Sequence, residues 1–233
     1  MILYYAGVNL ENLGFYVDED FKNLLPGVTD STIETESMDG EYDQGSLFNE
    51  TSFTLTGILV VDTIASRISG LAQIVSLFQD LSQSFLTIEG RPDRGLLCIR
   101  NGPVKAPYTP YGIQLAIPLL ASDPFWYSLT EHTKAGAGEL YNNGNMSTGF
   151  IITLQGPATD PHIVVNNETI IYTGSLTGSD TLTINTKTMT SRFNSNLAKN
   201  INGVYPRLAP GSNVISTTSG TLASAWRDCW LSA

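Results

Sequence analysis

At 233 residues, with 42% hydrophobic and 15% charged residues, the chain is too apolar to be disordered and long enough for one large domain or two smaller ones. Its net charge of −10 and the lack of any basic run exclude a nucleic-acid binder that works by releasing counterions. The two cysteines, Cys98 and Cys229, have no His or Cys nearby in sequence, which excludes a zinc site of about four ligands and predicts two separate buried thiols.

The charge is unevenly placed. Residues 1–132 hold 6 Lys and Arg against 17 Asp and Glu, whereas residues 133–233 hold 6 against 5. The chain therefore reads as two blocks of different chemistry. The apolar start, Met1 to Gly7, lacks a basic lead and is expected to be a first strand, not a secretory signal. Gly14 to Val17 reads as a second strand, and Asp18, Glu19 and Asp20 as a solvated turn. The acidic stretch 30–50 reads as a loop or arm. Residues 52–61 alternate and then turn wholly apolar, as a strand entering a core does.

One helix is predicted, over 66–82. Ile68, Leu71, Ala72, Val75, Phe78 and Leu81 recur at spacings of three and four, and Asp62, Thr63 or Ser66 is the expected N-cap. Phe85–Glu89 and Leu96–Arg100 read as a hairpin, 101–109 as a loop, and Tyr111–Leu120 as a strand running into Asp123-Pro124-Phe125-Trp126-Tyr127. Residues 133–147, rich in Gly, Ala and Asn, are the expected linker. Beyond it, strands are expected at 150–155, 163–166, 170–172, 181–185, 204–208, 213–217 and 221–230. Short strands at intervals of about ten residues indicate a β-sandwich.

Little here looks like chemistry. His132 and His162 each stand alone, and no nucleophile elbow, phosphate loop or zinc-protease pattern occurs. The run Asp39 to Gly45 lacks the later oxygen ligands of a calcium loop, so Asp39, Glu41 and Asp43 read as a solvated acidic surface. Phe125, Trp126 and Tyr127, and Trp226 with Trp230 on one strand face, read as core or seam in preference to a sugar platform. No apolar run approaches the roughly 18 residues of a membrane span.

The order of motifs resembles the distal tail (Dit) family of long-tailed phages with non-contractile tails. The residues that carry the likeness are the 68–81 helix, the 86–100 hairpin with Asp93-Arg94, the Asp123–Tyr127 closure, and Gly156-Pro157 to Ile163. The last is Tyr205-Pro206 followed by Leu208-Ala209-Pro210-Gly211-Ser212-Asn213-Val214-Ile215. The resemblance implies a mostly β protein with one helix: an N-terminal α+β ring-forming (belt) domain over 1–132, a linker over 133–147, and a C-terminal galectin-like sandwich over 148–233 whose last strand returns towards the first domain. It also implies a non-enzymatic part of the virion tail tip, made in the host cytoplasm, with no cofactor, metal or membrane. The subunits would form a hexameric ring that DNA traverses without being bound. Expected partners are the tail tube protein, the tail-tip hub and a receptor-binding protein. Asp39, Glu41, Asp43, Phe125, Trp126, Tyr127 and Trp230 are the interface or seam candidates. The competing readings are an adhesin that recognises a host glycan through the sandwich and a tail-associated glycan hydrolase.

Overall fold

The computed structural model describes residues 2–18, 28–34, 41–60, 63–198 and 200–232. The chain divides into two compact units. One comprises Met1–Tyr127 with Leu231–Ala233, and the other Ser128–Trp230.

In the first unit an antiparallel sheet runs in the order Val8–Asn9, Leu3–Tyr5, Ser84–Ile88, Arg91–Arg100, Gly112–Ala121, Thr51–Leu59, Phe15–Val17. Alternation decides which face is covered. Leu55 and Leu59 on one strand, and Ile113, Leu115, Ile117 and Leu119 on its neighbour, are buried at 0–1% exposure. The one α-helix among the described residues, Ile64–Leu77, covers this sheet. Thr63 is its N-cap, with Oγ1 accepting the Ser66 amide at 3.1 Å.

The buried face of the helix is rotated from the one that the periodicity selects, and of that set it keeps Phe78 and, in part, Leu71. Ile74 and Phe78 are buried, and the Phe78 ring stacks on Tyr5 at 4.2 Å. Ile68, Val75 and Leu81 are 61%, 42% and 69% exposed. Gly70, one turn before Ile74, lies on the buried face as well. A Cβ there would meet the Leu59 methyls at 3.6 Å, an ordinary contact. Gly70→Ala should therefore raise stability by up to about 1 kcal/mol, read as a higher urea midpoint, because the Gly penalty is removed without a clash.

Other expectations shift in detail. The helix stops at Leu77, short of 82, and Asp80 then accepts the Ser82 amide and hydroxyl at 2.9 and 2.8 Å. The acidic stretch expected as a loop or arm contains a hairpin, Val28–Glu34 paired with Glu41–Phe48. The 85–100 hairpin is longer than expected, Ser84–Ile88 against Arg91–Arg100, with a register shift after Thr87.

Cys98 and Cys229 are buried thiols that form no disulfide. Burial pushes the Cys98 thiol from 9.0 up to about 12. Because the folded value is raised, this group's contribution to stability is complete below 9.0. It is lost as pH rises from there towards about 12, since the unfolded chain ionises first. Alkylation at neutral pH should spare Cys98 in the native chain and label it after denaturation.

The second unit is a two-sheet antiparallel sandwich. One sheet orders His132–Ala135, Thr221–Trp226, Phe150–Gln155, Thr181–Asn185, Thr190–Phe193 and Asn196–Leu197. The other orders Gly138–Asn142, Gly211–Thr217, His162–Val165, Glu168–Tyr172 and Ile201–Gly203. Phe150, Ile152, Leu154, Leu182 and Ile184 from the first meet Leu140, Ile163, Val165, Ile170 and Ile215 from the second in one core.

Three readings of this half change. The stretch 133–147 is not a connector: it supplies Gly138–Asn142 and most of His132–Ala135, both paired within the sandwich. Residues 204–208 form no strand, only a bridge between Thr148 and Leu208. The expected strand 221–230 ends at Trp226 and resumes as Cys229–Trp230, so Trp226 and Trp230 do not share one strand face.

Candidate functional site

The Asp123–Tyr127 segment closes the first unit. Pro124 lacks the amide a ladder needs, so the preceding strand ends at Ala121. Tyr127, 5% exposed, donates its hydroxyl to Asp123 Oδ2 at 2.8 Å. Trp126 is 1% exposed. Phe125 is half-buried and meets Phe48 edge-on at 5.4 Å and 81°. Of the other candidates, Asp39 lies outside the described residues. Glu41 and Asp43 fall on the Glu41–Phe48 strand, opposite Glu34 and Thr32 in register. Trp230 is half-buried on the Cys229–Trp230 strand. The structure thus gathers Phe125, Trp126 and Tyr127 locally.

A polar cluster in the second unit ties the start of that unit to its end. Between Trp226 and Cys229 the chain leaves its strand, and Asp228 turns inwards with a side chain 5% exposed. Its carboxylate accepts the Asn143 backbone amide at 3.0 Å and the Asn143 side-chain amide at 2.9 Å. His132 Nε2 lies 3.0 Å from the same group. The Asp228 amide donates to Ser128 Oγ at 3.0 Å, and the Asp228 carbonyl accepts the Ser128 amide at 3.0 Å. Arg227 adds a bond to the Ser128 carbonyl at 2.8 Å. Donors on both oxygens suit a carboxyl group taken almost fully out of water.

Neighbouring groups complete the clasp. The Trp226 ring lies 5.4 Å from His132, and its Nε1 donates to the Tyr141 carbonyl at 3.0 Å. Asn142, 1% exposed, donates to the Met146 and Leu208 carbonyls and accepts from the Gly144 and Cys229 amides. Buried amide groups need this degree of satisfaction. Gly144 is required by space: a Cβ there would stand 1.8 Å from the Cys229 carbonyl oxygen.

His132 therefore has a carboxylate partner that its sequence neighbourhood does not reveal. The arrangement does not make a nucleophile–base pair. Ser128 Oγ, the hydroxyl of the cluster, donates to the Thr130 carbonyl at 2.7 Å and accepts the Asp228 amide. His162 is exposed at the start of the His162–Val165 strand, its amide bonded to Thr218 Oγ1 at 3.0 Å. Among the described residues no three His, Cys, Asp or Glu side chains gather as a metal site would need. What the cluster can do is hold two distant stretches of chain in register.

A second clasp lies at the sandwich rim. Asn213 donates to the Ala209 and Gly211 carbonyls and accepts the Ala209 amide and the Asn166 side chain. Asn166, at φ 53°, forms the tight turn between paired Val165 and Glu168.

No protein-family model and no curated protein matches the sequence. The fold, however, has matches among solved structures. The chain is similar to the crystal structure of the SPP1 Dit protein (gp 19.1), described as a paradigm of the hub adsorption apparatus in phages that infect Gram-positive hosts. The TM-score is 0.74 at 14% identity over 98% of both chains. It is also similar to a chain of the phage P2 baseplate in its activated, calcium-bound conformation, with TM-score 0.51 at 9% identity over 98% of both chains. The chain has the Dit-type fold: mostly β, one helix, and a C-terminal sandwich.

Proposed function

We propose that this chain is a structural subunit of a phage tail tip, a distal-tail hub protein without catalytic activity. The observation that carries the reading is the likeness to SPP1 Dit across 98% of both chains, which leaves no large part of either fold unmatched. The order of sequence motifs points the same way.

In this reading the first unit builds a hexameric ring, and the second unit is its outward sandwich. The ring joins the tail tube protein to the tail-tip hub and carries the receptor-binding apparatus. The surplus of 17 acidic over 6 basic residues in 1–132 suits a channel that lets DNA pass without holding it. Phe125, Trp126, Tyr127 and Trp230, with the acidic Asp39, Glu41 and Asp43, remain the proposed interface or seam residues. The adhesin reading has less support, because Trp126 and Trp226 are 1% and 8% exposed and offer no open ring face to a sugar.

Antibodies raised against the chain and applied to intact particles of the phage that encodes it test this. The proposal expects gold label at the distal end of the tail. Absence of the chain from purified particles, or label confined to the capsid, would contradict it.

A further inference from the structure

The sequence holds three Asn-Gly pairs: Asn101-Gly102, Asn143-Gly144 and Asn202-Gly203. Such a pair can deamidate without an enzyme. The glycine backbone nitrogen attacks the asparagine Cγ, ammonia leaves, and a cyclic succinimide forms. Water then opens the ring to aspartate or isoaspartate. Glycine favours this because no Cβ hinders the attacking nitrogen. Folded structure decides the rest: the side-chain amide must be free, and the asparagine Cα–C bond must rotate well away from its extended value.

The three sites differ in both respects. Asn143 is locked, since its side-chain amide and its backbone amide both donate to Asp228, and the Gly144 nitrogen donates to Asn142 Oδ1. Asn202 lies in the strand Ile201–Gly203, opposite Ile171. The Thr173 amide bonds to the Asn200 carbonyl, so by antiparallel alternation Asn202 and Ile171 form the next hydrogen-bonded pair. That ladder holds Asn202 extended, although its side chain is exposed.

Asn101 is different. It follows the strand Arg91–Arg100 and is exposed. Two bonds fix its surroundings, from the Asn101 amide to the Pro118 carbonyl and from Arg100 to the Gly102 carbonyl. Neither engages the groups that react. Among the described residues the Gly102 nitrogen and the Asn101 side chain make no hydrogen bond. Asn101 also lines a cleft of about 270 Å³ with Lys105, whose ammonium suits the carboxylate that the reaction creates.

We propose that Asn101 is the site at which this protein spontaneously deamidates, with Asn202 slower and Asn143 slowest. The test needs no substitution. The full chain is incubated natively in mildly alkaline buffer, a parallel sample is incubated in urea, and both are digested at acidic pH for mass spectrometry with isoaspartate detection. In urea the three sites should convert at similar rates. In the native chain Asn101 should keep close to its urea rate, while Asn143 falls by about tenfold or more because its clasp must open first. Native conversion of Asn143 or Asn202 as fast as that of Asn101, or a slowing of Asn101 as large as theirs, would overturn the proposal.

Discussion

Trp126→Ala should lower the unfolding free energy by about 3–5 kcal/mol, read as a lower urea midpoint with an unchanged slope. Trp126 is the largest of the fully buried side chains, at 1% exposure, and it sits where the first unit closes. Removing it loses the transfer energy of the indole and leaves a cavity that flanking strands cannot collapse into. Trp126→Phe sharpens the test. Among the described residues the buried indole Nε1 has no hydrogen-bond partner, so part of the burial gain of Trp126 is already offset by a desolvated donor. Phe discards that donor and keeps most of the apolar volume. Its cost should be about 1–2 kcal/mol, below what the lost volume alone suggests. Equal costs for Phe and Ala would mean that the nitrogen is satisfied and the burial argument is incomplete.

Asp228→Ala should destabilise the second unit by about 3 kcal/mol or more. It removes the acceptor for both Asn143 donors and for His132, and leaves those donors at a site the carboxylate filled at 5% exposure. Asp228→Asn keeps the shape and one acceptor oxygen. Its amide, however, would replace one of the two oxygens that accept from Asn143 with a donor, so it should recover only part of the loss. Trp226 fluorescence reports the change, because its ring lies 5.4 Å from His132. An Asp228→Ala variant as stable as the parent would show that Asn142 and the backbone ladder suffice to hold the clasp.

These two sites also show what could be read in advance. Strands in which large apolar residues alternate, such as Phe150–Gln155 and Thr181–Asn185, appear at their expected positions because burial of one face imposes period two. The Asn166 turn and the Asn213 bonds to the Ala209 and Gly211 carbonyls rest on chemistry within a few residues. The two strands at 132–142 were not legible in advance. Leu140 is their buried apolar anchor, and the buried partner beside it is the polar Asn142, so the pattern lacks a hydrophobic period. The helix was located, but its buried face is rotated from the expected one and includes Gly70, which carries no hydrophobic signal.

The His132–Asp228 pair is the plainest limit. The two residues lie 96 positions apart, and only the pairing of His132–Ala135 with Thr221–Trp226 brings them together. Local sequence makes His132 solitary, whereas the sheet gives it a partner. The same holds for Phe125, whose edge-on contact with Phe48 depends on a hairpin the acidic composition hid. The fold class was visible in periodicity, while the polar clasps were visible only through topology.

The proposed function is that of a ring subunit in a phage tail tip. Negative-stain electron microscopy of the full chain, mixed with the tail tube protein and the tail-tip hub protein of the same phage, tests it directly. Hexameric rings with an open centre, capping tubes at one end, are the expected result. A chain that stays monomeric at high concentration with both partners present, and never appears on tube ends, would contradict it.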